Sequence, residues 1–112
     1  MSEKRNLSRI KINNNLRVFD NETDALLGYA SDVNFGGLML IGESHIETHR
    51  MHSLRMEIPV KGHKTEHISL EAESLWSRQD ADPEFYDTGF RLIDPTPNAV
   101  RMIRQLIDDV TL

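Results

Sequence analysis

The chain has 112 residues, enough for one domain, and its 13 Lys and Arg stand against 18 Asp and Glu, a net charge of −5. This acidic balance argues against a protein whose whole surface binds DNA, and zero cysteines exclude a disulfide framework, a thiol nucleophile and a thiolate zinc site. No stretch approaches the roughly 18 apolar residues of a membrane span, and the start lacks the apolar run of a signal peptide. We therefore expect a cytoplasmic protein that does not insert into membranes.

Charge is distributed unevenly along the chain. Residues 1–17 hold five Lys or Arg and one Glu, so that the remaining residues carry a net charge of −9. A short basic arm on an acidic body indicates a local anion site, although a solvated terminal tail has the same composition. We expect residues 1–9 to form a mobile basic arm.

Alternation of apolar and polar residues predicts strands over most of residues 10–93. The first begins at Ile10 and is followed by strands at 25–30 and 38–41, and later strands cover 54–60, 68–76 and 85–93. Polar turn formers separate them, as at 20–24 and 80–83. Five or six strands joined by tight turns predict an all-β antiparallel barrel or sandwich, and closure into a barrel removes exposed edges.

The period changes after residue 95. Thr96 is a candidate N-cap and Pro97 suits the first helical position, because its missing N–H is not needed there. One face then carries apolar residues at helical spacing, namely Val100, Ile103, Leu106, Ile107 and Val110. We predict a helix over 96–110 that packs on the barrel or plugs one end; the alternative is a helix that binds a partner or dimerises. Residues 1–112 are expected to form a single domain.

Two short motifs point to ligand binding. Arg5 and Arg9 each offer a planar fork of donors that suits phosphate or a guanine edge, and each can stack on a base. Residues 32–37, Asp-Val-Asn-Phe-Gly-Gly, join two predicted strands and supply short polar side chains beside glycines that admit a ligand closely. Alone, each motif is weak, and the second also fits an ordinary connecting turn.

Together the two motifs resemble those of the PilZ domain, a bacterial receptor module for cyclic di-GMP. Arg5-Asn6-Leu7-Ser8-Arg9 matches the Arg-x-x-x-Arg motif of that family. Asp32 and Gly37 match its Asp/Asn-x-Ser-x-x-Gly motif, with Asn34 where the family usually has Ser. The resemblance extends over nearly the whole chain, including Leu75-Trp76 in a late strand, Thr88-Gly89-Phe90 in the next and a closing helix.

The resemblance implies a role for each matching residue. Arg5 and Arg9 would wrap the dinucleotide, Asp32 would bind a guanine edge, and Gly37 would allow the backbone geometry of the loop. Asn34 can donate and accept as a hydroxyl does but is bulkier, so we expect affinity lower by about fivefold, the value of one good hydrogen bond. Two further candidates for ligand contact are Lys4 and Gly36.

Other residue groups give no comparable signal. His45-x-x-x-His49 could ligate a metal on a helix, but nothing fixes a third ligand, so we predict no metal site. No serine lies in a nucleophile elbow and there is no phosphate-binding glycine loop of the mononucleotide type, so we predict a binding protein and not an enzyme. Trp76 continues the alternation of its strand and is expected in the core.

These observations lead to one hypothesis and two alternatives. The hypothesis is a cyclic di-GMP receptor whose basic arm orders around the ligand and which signals to a partner protein, as a monomer or weak homodimer. The first alternative is a PilZ-like protein-interaction adaptor that binds no nucleotide. The second, a single-strand nucleic-acid binder, ranks last because the chain has only seven aromatic residues to serve as stacking platforms.

Overall fold

The computed structural model describes residues 10–60 and 64–111 and, within them, the side chains of 16–59 and 64–108. Six strands and one helix follow one another along this part of the chain. They are β1 (Ile10–Asp20), β2 (Leu26–Val33), β3 (Gly37–Gly42), β4 (Met51–Val60), β5 (Lys64–Gln79), β6 (Tyr86–Leu92) and α1 (Pro97–Thr111).

The six strands form a closed antiparallel barrel in the order β1-β2-β3-β6-β5-β4. The first three strands are consecutive neighbours, whereas β6 inserts between β3 and β5. The barrel closes between β1 and β4, where Val18 pairs with Met56 and Phe19 with Arg55. The prediction of a small antiparallel barrel of about six strands with a C-terminal helix is confirmed.

Apolar side chains from alternate positions of the strands fill the barrel interior. On β5, Ile68, Leu70 and Ala72 are buried while the intervening residues face solvent, as a period of two requires. The interior side chains and the buried face of α1 form one cluster. Its bulkiest fully buried members are Phe90, Leu38, Leu40, Leu54, Met56, Leu70 and Ile103.

Two bulges break this alternation next to the predicted motifs. One lies in β2 between Ala30 and Asp32, and the other lies in β5 between Ser74 and Trp76. A bulge adds one unpaired residue, so the side chains beyond it change face. Asp32 and Trp76 are both placed by these irregularities.

Helix α1 begins where the sequence predicts a cap. Thr96 Oγ1 accepts a hydrogen bond from Ala99 N at 3.1 Å, and Pro97 is the first helical residue. The helix packs against β1 and β5 and buries an apolar face consisting of Ala99, Met102, Ile103 and Leu106. Among the described residues, no helix is long and apolar enough to cross a bilayer.

Candidate functional site

The turn between β2 and β3 is closed by the side chain of Asn34. Its Oδ1 accepts from Gly36 N at 2.8 Å and from Gly37 N at 2.9 Å, while the backbone N–H of Asn34 donates to Gly37 O at 2.9 Å. Leu92 N donates to Gly36 O at 2.9 Å and ties the turn to the end of β6. The turn is therefore held from within and from the neighbouring strand.

The two glycines of this turn have different roles. A Cβ on Gly37 would overlap the carbonyl oxygen of Phe90, so glycine is required there by the close approach of β6. A Cβ on Gly36 would meet nothing nearer than Asn34 Oδ1 at 3.6 Å. The first glycine is thus fixed by packing, and the second tolerates a side chain.

Asp32 lies within strand β2, although the sequence places it in the connection between strands. The strand extends to Val33 because Asp32 pairs with Lys11 on β1 and with Met39 on β3. Asp32 is 2% exposed, and it and Asp87 are the two charged residues that are buried in the part of the chain that the structure describes. A carboxylate buried in this way favours donors that can satisfy its oxygens.

Asp32 shares a row with three residues on adjacent strands. It pairs with Met39, Met39 pairs with Gly89 on β6, and Gly89 pairs with Trp76 on β5. Residues directly opposite on neighbouring strands point to the same face of a sheet. The neighbours of Met39, Leu38 and Leu40, are core residues, so this row lies on the outer face of the barrel.

The prediction that Trp76 belongs to the core is wrong. The bulge after Ser74 turns the indole to the outer face, where it is half-buried and covers Gly89. A Cβ on Gly89 would overlap the indole ring, so the glycine makes room for it. The guanidinium of Arg78 lies over the same ring, 4.7 Å from its centroid. Strand alternation alone could not reveal this placement.

Phe35 is a further feature of the turn that the sequence did not single out. Its side chain is 43% exposed at the tip of the turn, and Arg104 of helix α1 lies over the ring at 5.2 Å from the centroid. Helix and turn meet at this contact. A large aromatic residue inside the candidate binding motif is the sequence signal that could have identified it.

Three predicted site residues, Lys4, Arg5 and Arg9, lie outside the described residues. The structure brings Asp32, Asn34, Gly36 and Gly37 together at the end of the β2–β3 hairpin. Ile10, the first described residue, pairs with Val33 beside them.

The histidines lie at other places in the fold. His45 and His49 belong to the irregular segment between β3 and β4, so they lack the helical spacing that would place both on one ion. His45 packs edge-on against Tyr86, and His52 packs edge-on against Phe90. Over 10–60 and 64–111, no group of three or more His, Cys, Asp or Glu is arranged to hold a metal ion.

Proteins similar to this chain are found among the solved structures. No protein-family model matches the sequence, and no curated protein matches it. The Bacillus subtilis inhibitor of motility (MotI/DgrA) superposes with a TM-score of 0.73 and 16% identity, covering 90% of this chain and 48% of that protein. The chain thus spans about half the length of that protein.

The second structure is the PilZ domain of YcgR from Escherichia coli with c-di-GMP. It has a TM-score of 0.66 and 14% identity, and the alignment covers 92% of this chain and 88% of that domain. Likeness at this identity concerns the fold. The chain therefore has a PilZ-like fold, and the resemblance noted in its sequence is confirmed at that level.

Proposed function

We propose that this protein is a cyclic di-GMP receptor and not an enzyme. The observation that carries the proposal is the burial of Asp32, an acidic residue on the outer face of a PilZ-like barrel, in the row that crosses β3 and β6. Guanine presents two adjacent N–H groups on one edge, which suit the two oxygens of a carboxylate. The ligand would donate hydrogen bonds to this buried acceptor.

The turn contributes rigidity to this site. Because Asn34 holds Gly36 and Gly37 and Leu92 holds the turn from β6, the backbone beside Asp32 is ordered before the ligand arrives. An ordered site loses less entropy on binding. Across β6, on the row of Asp32, Trp76 covers Gly89 and carries the Arg78 guanidinium over its ring, so a cation lies at the far side of this surface.

The remaining contacts are assigned to the N-terminal segment. Arg5 and Arg9 would bind phosphate and guanine acceptors through their forked donors, and Lys4 would add charge at a phosphate. These cations would offset the two phosphodiester charges of the ligand in a chain whose net charge is −5. Ordering of this segment around the dinucleotide would change the surface that a partner protein meets.

One observation favours the alternative, a PilZ-like adaptor that binds no nucleotide. The Oδ1 of Asn34 already accepts two backbone N–H groups of its own turn, so the residue that replaces the family's Ser is engaged within the protein. The two functions differ in ligand response, because only a receptor gains melting temperature with cyclic di-GMP.

The test is a calorimetric titration of the purified protein with cyclic di-GMP, with GTP as the control ligand. We expect saturable binding of the cyclic dinucleotide alone. Arg5→Ala, Arg9→Ala and Asp32→Ala should each weaken binding by at least about tenfold, as expected for lost hydrogen bonds to charged groups. Arg50→Ala is the matched control, because Arg50 lies in the β3–β4 segment and pairs with Glu47.

The outcomes separate the two functions. Binding by the parent and the control, lost in the three variants, supports the receptor. No heat and no melting shift at a large excess of cyclic di-GMP would overturn it in favour of the adaptor.

A further inference from the structure

The arginines of the described residues fall into two groups. Four are paired with carboxylates across or along the strands and loops, namely Arg17 with Glu57, Arg50 with Glu47, Arg55 with Asp24 and Arg91 with Glu73. Arg78, Arg101 and Arg104 have no carboxylate partner in the part of the chain that the structure describes. In an acidic protein, an arginine without such a partner is available to an anion from outside.

Two of these three arginines lie on aromatic rings. Arg78 covers Trp76, and Arg104 covers Phe35, whereas Arg101 donates to Asn98 Oδ1 at 2.5 Å. A guanidinium that lies over the face of a ring keeps the N–H groups that point away from the ring available as donors. The contact with the ring also restrains the guanidinium and reduces the freedom lost when those donors bind a ligand.

Arg104 is the one that lies against the candidate site. Phe35, whose ring lies under the Arg104 guanidinium, follows Asn34 directly and precedes the two glycines of the turn. The hydrogen bonds of Asn34 and the bond from Leu92 to Gly36 hold this turn, so the Phe35 ring is presented from a fixed backbone. Helix α1 is itself anchored by Ala99, Met102, Ile103 and Leu106 in the core.

We propose that Arg104 of helix α1 is a ligand-contacting residue of the site. Its guanidinium, held on the Phe35 ring, donates to a phosphate oxygen of the cyclic dinucleotide or to the O6 and N7 acceptors of a guanine. The inference rests on the proposed receptor function. It makes α1 part of the binding site, so that ligand occupancy is communicated directly to the helix.

The test compares two arginines of the same helix. Arg104→Gln and Arg101→Gln are each titrated with cyclic di-GMP by calorimetry beside the parent protein. We expect Arg104→Gln to lower affinity by about tenfold, the loss of a hydrogen bond to a charged group, and Arg101→Gln to bind as the parent does. Both side chains are exposed, so the melting temperatures without ligand should agree with that of the parent.

Phe35→Leu tests the contribution of the ring. If the ring orients Arg104, this substitution weakens binding in the parent but has little additional effect in the Arg104→Gln protein, because the two residues act as a unit. Arg104→Lys keeps the charge and removes the planar fork, so its affinity should fall between those of the parent and Arg104→Gln.

The two proposals fail in different ways. A parent protein that binds cyclic di-GMP while Arg104→Gln binds it equally well would overturn the role of Arg104 and leave the receptor function intact. Equal losses in Arg104→Gln and Arg101→Gln would also overturn it, because the effect would then be one of helix charge. A parent protein that does not bind would overturn the receptor function and the inference with it.

Discussion

Asn34 shows how one side chain can close a turn between two strands. Its amide oxygen accepts hydrogen bonds from the N–H groups of Gly36 and Gly37, which would otherwise need backbone acceptors. The Ser found at this position in the PilZ family has a shorter side chain with a single oxygen. Asn in place of Ser therefore keeps an acceptor and adds bulk. In this chain that acceptor holds the backbone of the turn.

Removal of this amide should destabilise the protein. We expect Asn34→Ala to lower the free energy of unfolding by about 1 kcal/mol, since two hydrogen bonds in a partly exposed turn are lost. Asn34→Ser should lose less, because its hydroxyl can still accept one N–H. Urea unfolding measures both. Unfolding of Asn34→Ala at the same urea concentration as the parent would show that these bonds add nothing to stability.

At the scale of elements, a bulge in strand β5 and an N-cap at the start of helix α1 each have a large local effect. The β5 bulge turns Trp76 onto the outer face, and without it the indole would point into a barrel whose interior Phe90 and its neighbours already fill. Helix α1 depends on Thr96, whose Oγ1 accepts from Ala99 N and whose carbonyl accepts from Val100 N.

The cap of α1 gives a prediction at this scale. Thr96→Ala should lower the free energy of unfolding by about 1 kcal/mol, the usual value of an N-cap hydroxyl, whereas Thr96→Ser should resemble the parent. Chemical denaturation followed by circular dichroism at 222 nm measures both variants. Equal stability of Thr96→Ala and the parent would contradict the role of the cap.

For the whole molecule, the closing seam between β1 and β4 is the feature that turns a sheet into a barrel. Arg17 on β1 donates to Glu57 on β4 at 2.8 Å, and His67 on β5 approaches the other Glu57 oxygen at 3.2 Å. Partial burial raises the pKa of Glu57, but hydrogen bonds and charges from His67 and Arg17 lower it by more, so the pKa lies below 4.5. The ionised carboxylate therefore stabilises the seam.

This pKa predicts how stability depends on pH. Because the folded-state pKa is depressed, the contribution of Glu57 is present above about 4.5 and is lost as the pH falls through the folded-state value. We expect Glu57→Gln to melt below the parent at pH 7, with the difference shrinking as the pH falls below 4.5. Glu66→Gln, an exposed acid on the same strand pair, is the control and should show no such difference. A constant difference for Glu57→Gln from pH 7 to pH 3 would contradict the prediction.

The sequence by itself determined the features that depend on residues close to one another along the chain. Alternation of period two identified the strands, helical spacing after Pro97 identified α1, and the order of residues 32–37 identified the turn that Asn34 closes. These patterns are local, because a strand or helix presents its side chains at a fixed period whatever it later packs against.

Only the tertiary structure decided which residues meet. The insertion of β6 between β3 and β5 puts Trp76 on the row of Asp32, and packing of α1 on the barrel puts Arg104 on Phe35. The bulges that turned Asp32 and Trp76 to the outer face are set by the register between paired strands and not by the alternation within one strand. Pairing order and register are set by the closed sheet as a whole, so no local pattern contains them.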